Sequence, residues 1–262
     1  MVQSSPAAES AAKILKLLTR YRTARASLTE IAVELDMAKS SCSRILKALV
    51  DEGLLSYDGV TRLYSLGPYA IIIGARAEES VDYMAPIRQA LHELTDATGL
   101  TSAWIQRVEA DRLMYLAKEE GTADTHVGIS VGNRFPVAKV SWGQWVVAYA
   151  DAKDRAAILA RGLPKVSETN ITDPVEYVRQ CERIRETRIL TTSGDYMPGI
   201  WAASAPILSY SQRLVGIISV IGVADLVAAA DRERFADIVR TLALRTVIHE
   251  APDRTMEGRL IG

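Results

Sequence analysis

Residues 37–53 have the sequence MAKSSCSRILKALVDEG, and this stretch decides the fold of the N-terminal part of the chain. Its apolar residues recur at spacings of three and four, which predicts an amphipathic helix from Lys39 to Glu52. Gly53 follows at the position where a helix commonly ends. The apolar face is formed by Cys42, Ile45, Leu46, Leu49 and Val50. The opposite face bears Ser40, Ser43, Arg44 and Lys47.

The residues before this helix predict two further helices. An apolar stripe at helical spacing predicts the first helix from about Glu9 to Tyr21, and the basic stretch 20–26 is predicted as a loop. Thr29 is predicted as the N-cap of a short helix that ends near Asp36. The step from this helix to the next takes only a few residues, so the two helices form a helix-turn-helix.

The residues after Gly53 predict a β-hairpin. Two β-like runs, 54–57 and 61–66, flank the pair Asp58-Gly59, which is a strong hairpin signal. Helix, helix-turn-helix and hairpin together predict a winged helix-turn-helix domain over residues 9–67.

The face opposite the apolar stripe has the chemistry needed to read DNA. An α-helix fits the major groove, and short hydroxyls with Arg and Lys contact phosphates and base edges. A plain solvated helix face would look similar, but the preceding helix, the tight turn and the hairpin favour DNA binding. The predicted DNA contacts are Thr29, Lys39, Ser40, Ser41, Ser43, Arg44, Lys47, Arg62 and Tyr64, the last two on the hairpin.

Composition supports two domains without a metal or a membrane span. The chain has 262 residues, more than a usual single domain. Residues 1–66 hold nine Lys and Arg against seven Asp and Glu, whereas residues 67–262 hold twenty-two against twenty-five. Cys42 and Cys181 lack the spacing of a disulfide framework or a zinc site, and no cofactor is predicted. No apolar run is long enough to span a bilayer and no signal peptide opens the chain, so we expect a cytoplasmic protein.

The remainder of the chain predicts a domain of helices and strands. A helix over 69–84 is predicted, and an amphipathic helix begins after Pro86 and runs to Gly99. The last helix begins near Asp231, with Val247 on its apolar face. Two strands are predicted within 101–118, around Glu109-Ala110-Asp111. Further strands are predicted at 189–192, 201–208 and 214–222, and further helices at 141–150, 152–161 and 174–187. This pattern indicates an α+β sheet flanked by helices.

Several of these segments resemble the IclR family of bacterial regulators, over roughly residues 9–250. In the N-terminal part, the matching segments are 12–15, 28–32, 37–46 and 64–67. In the remainder they are Phe135-Pro136, Gly143, Pro198-Gly199 and 203–207. The helix-turn-helix segments are shared with other winged-helix proteins, and their combination with the later segments is more specific.

The resemblance implies an α+β regulator in three parts. These are the winged helix-turn-helix over 9–67, a linker helix over 68–85 and a GAF-like effector-binding and oligomerisation domain over 86–250. It also implies dimers or dimers of dimers on palindromic double-stranded operator DNA. The effector would be a small organic acid or an aromatic or hydrophobic catabolite. The alternative is an enzyme or ligand sensor whose N-terminal domain serves protein–protein contacts.

The resemblance further implies which residues line the effector cavity. They are Phe135, Ser141, Trp142, Gly143, Thr192, Asp195, Trp201, Ala202, Ser204, Ser219 and Ile221. The chain departs from the family pattern at Gly143-Gln144, where Gly-Lys is usual, and at Gly194-Asp195, where two acidic residues are usual. Trp142 stands where a small residue is common.

Two interpretations of Trp142, Trp145 and Trp201 remain open. Tryptophans can line a pocket that binds an aromatic or apolar ligand, or they can fill the cavity as ordinary core. We favour a pocket because hydroxyls and an acid are expected nearby. The effector would then be more hydrophobic than a two- or three-carbon acid.

A catalytic motif in the sequence does not fit its context. Residues 128–132 match G-x-S-x-G, the nucleophile elbow of hydrolases, but Pro136 disfavours the helix that must follow Ser130. His249 would have to complete the triad, and it is predicted to lie on the terminal amphipathic helix. His92, His126 and His249 are scattered, so neither a catalytic nor a metal site is predicted.

Overall fold

The computed structural model describes residues 5–79, 83–246 and 248. The chain divides into two compact units, one up to Ser80 and the other from Val81 onward. Each unit has its own buried apolar core.

The first unit contains four helices and a small antiparallel sheet within its described residues. The helices are α1 (Pro6–Leu18), α2 (Leu28–Glu34), α3 (Lys39–Asp51) and α4 (Pro68–Glu79). The strands are β1 (Ala26–Ser27), β2 (Leu55–Asp58) and β3 (Leu63–Leu66), arranged in the order β1-β3-β2. The predicted winged helix-turn-helix is therefore present, with β1 as an additional strand in a stretch predicted as loop.

The start of α2 differs from the prediction, because Ser27 rather than Thr29 is the N-cap. The Glu30 N–H donates to Ser27 Oγ at 3.3 Å, and the Ser27 N–H donates to Glu30 Oε2 at 2.7 Å. This reciprocal pair is a capping box, which requires a hydroxyl three residues before the acid. The bond from the Ser27 N–H, together with a hydrogen bond from Ser27 Oγ to Glu30 Oε2 at 2.7 Å, lowers the pKa of the Glu30 carboxyl. Thr29 lies in the first turn, with its side chain exposed.

A residue with a left-handed backbone conformation shapes each of two connections, the turn before α3 and the loop of the hairpin. Asp36 has φ of 50° in the turn between α2 and α3, where Met37 N–H donates to the Ala32 carbonyl oxygen at 2.8 Å. In the hairpin loop Arg62 has φ of 59°, and Asp58 Oδ1 accepts hydrogen bonds from two loop N–H groups. The hairpin loop therefore spans 59–62, longer than the Asp-Gly pair alone.

The apolar face of α3 packs against α1, α2 and β2. Cys42 and Leu46 are fully buried with Ile14, Ile31 and Leu55. The prediction that Cys42 faces the core of the N-terminal domain is confirmed.

The predicted linker helix over 68–85 differs from the described helices. α4 covers Pro68–Glu79, residues 80–82 lie outside the described residues, and Met84 already belongs to the next helix, α5 (Met84–Thr98). Pro86 lies in the first turn of α5 rather than before it. Proline is tolerated there because the N–H groups of a first turn have no acceptor within the helix. No side chain of α4 is buried.

The second unit is a six-stranded antiparallel sheet with helices on both faces. Its strands are β4 (Thr101–Glu109), β5 (Arg112–Glu119), β6 (Arg134–Pro136), β7 (Leu190–Ser193), β8 (Ile200–Leu208) and β9 (Leu214–Val223), in the order β6-β5-β4-β9-β8-β7. Its remaining helices are α6 (Gly143–Tyr149), α7 (Ala152–Leu159), α8 (Pro174–Thr187) and α9 (Ala229–Arg245). The α+β architecture is as predicted; the short strand β6 was not predicted.

The two faces of this sheet carry different helices. α5 and α9 pack on one face, around Trp104, Trp201 and Phe235. α6, α7 and α8 pack on the other, around Trp145, Tyr177 and Cys181. α9 begins at Ala229, two residues before the predicted start, and Val247 and His249 lie outside the described residues. Among the described helices, none has the length and apolar content to cross a membrane.

Candidate DNA-binding face and ligand pocket

The polar face of α3 is open to solvent. Ser40, Ser43, Arg44 and Lys47 are exposed, as is Lys39 at the start of the helix, whereas Ser41 is half-buried. The side of α3 with buried Cys42, Leu46 and Leu49 fixes this orientation. The structure thus brings the predicted α3 contacts other than Ser41 onto one exposed surface.

The N-terminus of α3 has no side-chain cap. Its N-cap residue is Ala38, whose side chain makes no capping hydrogen bond. The first N–H groups of a helix lack intrahelical partners and carry the positive end of the helix dipole. Such an end is suited to a phosphate group.

The charge of Lys47 is already paired within α3. Its Nζ atom lies 2.7 Å from Asp51 Oδ2, and this hydrogen bond raises the pKa of the ammonium group. Both side chains are exposed, so the pair is weak and can open to a phosphate.

The two hairpin residues have different environments. Arg62 is exposed on the loop between β2 and β3. Tyr64 is half-buried, its ring centroid lies 4.7 Å from that of Tyr57, and burial raises the pKa of its hydroxyl. Tyr57, which was not predicted, is the more exposed ring of the pair.

A cavity of about 170 Å³ lies in the second unit, on the α6 face of the sheet. β5, β7, β8 and β9 contribute to it, together with the segments before β6 and before α6. Its lining consists of Tyr115, Val127, Gly128, Ile129, Asn133, Phe135, Val140, Ser141, Trp142, Thr192, Tyr196, Met197, Ile200, Ala202 and Ile221. We call this cavity the ligand pocket.

Three aromatic rings in the lining pack edge to face. The centroid of Tyr115 lies 4.9 Å from that of Phe135 and 5.4 Å from that of Trp142, and Phe135 and Trp142 are 5.8 Å apart. Edge-to-face packing at these distances is favourable. One wall of the ligand pocket is therefore a rigid aromatic surface.

The lining also carries polar groups. Ser141, Thr192 and Asn133 line the pocket, and so does Tyr196, whose hydroxyl oxygen accepts a hydrogen bond from Gln144 Nε2 at 3.0 Å. Gln144 is almost fully buried, and its Oε1 has no partner within the described residues. Burial raises the pKa of Tyr196 to about 12, so its hydroxyl keeps its proton.

Six of the eleven residues expected in the effector cavity line this pocket. They are Phe135, Ser141, Trp142, Thr192, Ala202 and Ile221. Ser204 and Ser219 do not line the pocket but accept hydrogen bonds from buried tryptophans. The Trp145 indole N–H donates to Ser204 Oγ at 3.0 Å, and that of Trp142 donates to Ser219 Oγ at 3.3 Å.

Gly143 and Asp195 have structural roles outside the lining. A Cβ atom on Gly143 would lie 1.8 Å from the Val137 carbonyl oxygen, so only glycine allows this close approach. The Asp195 carboxylate accepts a hydrogen bond from the Ser193 N–H at 3.0 Å. This bond turns the Asp195 side chain back onto its own loop.

Trp201 does not belong to the ligand pocket. Its side chain is buried on the α9 face of the sheet, where its ring centroid lies 6.3 Å from that of Phe235. Adjacent residues of a strand point to opposite faces, so Ala202 lines the pocket and Trp201 cannot. Both interpretations of the tryptophans therefore apply: Trp142 lines the pocket, while Trp145 and Trp201 are core.

The remaining lining residues were not predicted. Tyr115, Asn133 and Tyr196 contribute most of the missed polar atoms. Gly128 and Ile129, which belong to the G-x-S-x-G match, also line the pocket, and Gly132 follows in a turn rather than a helix. Within the described residues, no three His, Cys, Asp or Glu side chains are grouped so that they could hold a metal ion.

The family models and the relatives that match this chain are those of transcriptional regulators. The family model for the IclR helix-turn-helix domain matches residues 7–59, and the model for the bacterial transcriptional regulator IclR C-terminal domain matches residues 76–247. The chain is similar to the HTH-type transcriptional regulator BhcR of Paracoccus denitrificans, with 27% identity over 197 residues, which cover 75% of this chain and 70% of BhcR.

Solved structures show the same similarity. An IclR transcriptional regulator from Alicyclobacillus acidocaldarius has 33% identity and a TM-score of 0.87, covering 93% of this chain and 98% of that one. Pseudomonas aeruginosa HmgR has 27% identity and a TM-score of 0.72, covering 93% of this chain and 100% of that one.

The fold and the matches define a helix-turn-helix transcriptional regulator with an effector-binding domain, not an enzyme. The chain belongs to the IclR family.

Proposed function

We propose that α3 is the helix that reads the operator, and that the ligand pocket is the site through which an effector changes DNA binding. The observation that supports the first half is the exposed row Ser40, Ser43, Arg44 and Lys47 on a helix whose other side is buried. Arg62 on the hairpin loop and the uncapped start of α3 supply contacts to the flanking phosphates. Thr29, Lys39, Ser41 and Tyr64 complete the proposed contact set.

We also propose that the regulator works as a dimer or a dimer of dimers. In support, Ile71, Ile72 and Ile73 are exposed on α4, with Ile71 76% exposed. A run of three exposed isoleucines is unfavourable in water and is suited to contact with a second copy of the chain. Sedimentation velocity of the full chain measures the state. Because the proposed partner is operator DNA, we place the protein in the bacterial cytoplasm.

The proposed mechanism is a shift between two dimer arrangements. An effector that binds one arrangement more tightly than the other moves the population toward it, and the spacing of the two DNA-reading helices changes. Six predicted residues in the pocket lining support this role for the second unit. An aromatic or hydrophobic effector fits the apolar walls better than a two- or three-carbon acid.

Substituting Arg44→Ala tests the DNA-binding proposal. We expect a loss of affinity for a duplex from the region upstream of the regulator's own gene, about fivefold to 150-fold, because an arginine contact to a base contributes about 1–3 kcal/mol. Fluorescence anisotropy at several salt concentrations measures it. Weak residual binding to unrelated DNA should change much less.

Arg179→Ala is the matched control, because Arg179 is an exposed arginine on α8 in the other unit. Its affinity for the duplex should equal that of the wild type. If Arg44→Ala and Arg179→Ala bind the duplex equally well, α3 does not read DNA through Arg44.

A further inference from the structure

We propose that the ligand pocket takes an uncharged ligand with one aromatic ring and a hydrogen-bond acceptor, such as an amide, ester or ketone, rather than a carboxylate. This inference rests on the proposed role of the pocket as the effector site. It narrows the effector class, because the family resemblance alone leaves organic acids and aromatic compounds equally open.

The lining itself offers no countercharge. None of the fifteen described lining residues is Lys, Arg, His, Asp or Glu. Burying an ionised carboxylate without a partner costs much more than burying a neutral polar group that is hydrogen-bonded. The lining therefore favours the neutral member of any pair of similar ligands.

Backbone N–H groups could replace a cation, but those at the start of α6 are already bonded. The N–H groups of Gly143, Gln144 and Trp145 donate to the carbonyl oxygens three residues earlier, at 3.0–3.1 Å. Ser141 and Trp142, which line the pocket, thus lead into a helix end whose first donors are in use.

Two N–H groups of the turn before Tyr196 are also in use. The Ser193 N–H donates to the Asp195 carboxylate, and the Gly194 N–H donates to the Ile200 carbonyl oxygen at 2.9 Å. The protein's own carboxylate therefore occupies the Ser193 N–H group. Its negative charge near the pocket adds to the cost of a second one.

The basic side chains next to the lining have acidic partners. Lys118 Nζ donates to the Ile129 carbonyl oxygen and forms an ion pair with Glu120. Arg134 lies next to Asn133 in the chain, and its Nη1 is 3.1 Å from Glu109 Oε1. Each of these two cations therefore already has a carboxylate partner. The buried Arg134 Nε–H has no partner within the described residues, but Arg134 is not a lining residue of the pocket.

Size and shape favour a single ring. The pocket volume of about 170 Å³ is close to that of an engineered apolar protein cavity of about 150 Å³ that binds benzene. The wall formed by Tyr115, Phe135 and Trp142 offers ring edges and faces for aromatic packing. A substituent of a few atoms fits beside the ring.

Tyr196 supplies the donor for the ligand's acceptor. Its oxygen already accepts the Gln144 hydrogen bond, which leaves the hydroxyl hydrogen for the ligand. The buried hydroxyl stays protonated at physiological pH. An amide or carbonyl oxygen on the ring can accept this hydrogen.

Benzamide and benzoate test the proposal, because they have nearly the same shape and differ in charge at pH 7.5. Isothermal titration calorimetry and tryptophan fluorescence of the full wild-type chain measure both affinities. We expect benzamide to bind at least tenfold more tightly than benzoate. Equal affinities, tighter binding of benzoate, or no binding of either at millimolar concentration would each overturn the proposal.

Tyr196→Phe tests the donor. It should weaken benzamide binding about three- to tenfold, as expected for one neutral hydrogen bond. Tyr149→Phe is the matched control, because Tyr149 lies outside the lining and its buried hydroxyl has no partner within the described residues. If Tyr196→Phe leaves the affinity for benzamide unchanged, Tyr196 is not the donor. The comparison of benzamide with benzoate on the wild-type chain tests the preference for an uncharged ligand without any variant.

The DNA measurement keeps this inference separate from the proposed function. If benzoate binds more tightly and alters affinity for the duplex, the inference fails while the regulatory role of the pocket stands. If benzamide binds more tightly but neither probe alters affinity for the duplex, the pocket has the proposed chemistry without the proposed role.

Discussion

The two faces of the six-stranded sheet are made by the same strands but are filled in different ways. On the α5/α9 face, Trp201 packs against Phe235, and the buried indole N–H of Trp104 has no partner within the described residues. On the α6 face, the indoles of Trp142 and Trp145 both donate to serine hydroxyls of the sheet. The α5/α9 face is therefore filled mainly by apolar packing, beside an open groove of about 660 Å³ that Trp201 and Ala236 line at its edge. The α6 face is held by directional bonds around a cavity.

This difference has a physical reason. A side chain beside a cavity lacks contact atoms on one side, so packing alone fixes its position poorly. Trp142 lies beside the cavity, and its hydrogen bond to Ser219 Oγ replaces part of the missing contact. The Ser219 hydroxyl in turn donates to the Ala203 carbonyl oxygen, which orients it. Under the proposed function, the cavity on the α6 face takes up the effector, whereas the apolar side chains of the α5/α9 face serve stability.

The strongest test of the comparison is Trp201→Ala. We expect a loss of about 3–5 kcal/mol in the free energy of unfolding, because a large ring is removed from a dry core. Urea unfolding followed by tryptophan fluorescence reports the second unit alone, since all four tryptophans lie in it. A loss below about 1 kcal/mol would show that the α5/α9 face tolerates cavities after all.

A neighbouring pair of alanines separates the two faces with the same substitution. Ala202→Leu should fill the ligand pocket and weaken benzamide binding tenfold or more, with little loss of stability. Ala203→Leu should overpack the α5/α9 face and lower the free energy of unfolding by about 1–3 kcal/mol. Its affinity for benzamide should be unchanged in the folded fraction. Calorimetry and urea unfolding measure the two effects, and the comparison breaks if the two variants behave alike.

The smallest expected effect concerns an ion pair that joins α7 to the sheet on the pocket face. Arg107 Nη2 lies 2.8 Å from Asp154 Oδ1, and the hydrogen bonding from Arg107 lowers the pKa of that carboxyl. Because both side chains are about one-third exposed, Asp154→Asn should cost only about 0.2–1 kcal/mol.

The pH dependence of this effect has a definite sign. A carboxyl whose pKa is lowered by folding adds stability above its ordinary pKa and loses that contribution as the pH falls. The difference between Asp154→Asn and the wild type in urea unfolding should therefore be fully present near pH 7 and shrink as the pH falls below 3.8, the ordinary pKa of the carboxyl. A difference that grows on acidification would contradict this account.

The fold of the first unit was predictable because its signals are local. The apolar spacing in α3, Gly53 after it and the hairpin pair are all contained within short stretches of sequence. The one N-cap error has the same local origin. Ser27 and Thr29 both carry hydroxyls, and only the three-residue spacing from Ser27 to Glu30 identifies the capping box.

The ligand pocket was only partly predictable, because its lining comes from segments far apart in the sequence. Tyr115 and Tyr196 are 81 positions apart and meet through sheet pairing that no local pattern encodes. The assignment of both Trp201 and Ala202 to the lining ignored the two-residue period of a strand, which the sequence does reveal. The N–H groups at the start of α6 are unavailable to a ligand because of hydrogen bonds that only the structure shows.

The burial of both cysteines has a practical consequence. Cys42 and Cys181 are 0% and 2% exposed, and burial raises the pKa of both thiols, so neither is positioned to react with a maleimide or a spin label. A cysteine introduced at Val60, which is 95% exposed on the hairpin loop, would then be the reactive thiol on the native protein. Labels at this position on both copies of a dimer would allow the distance between the two hairpins to be measured spectroscopically.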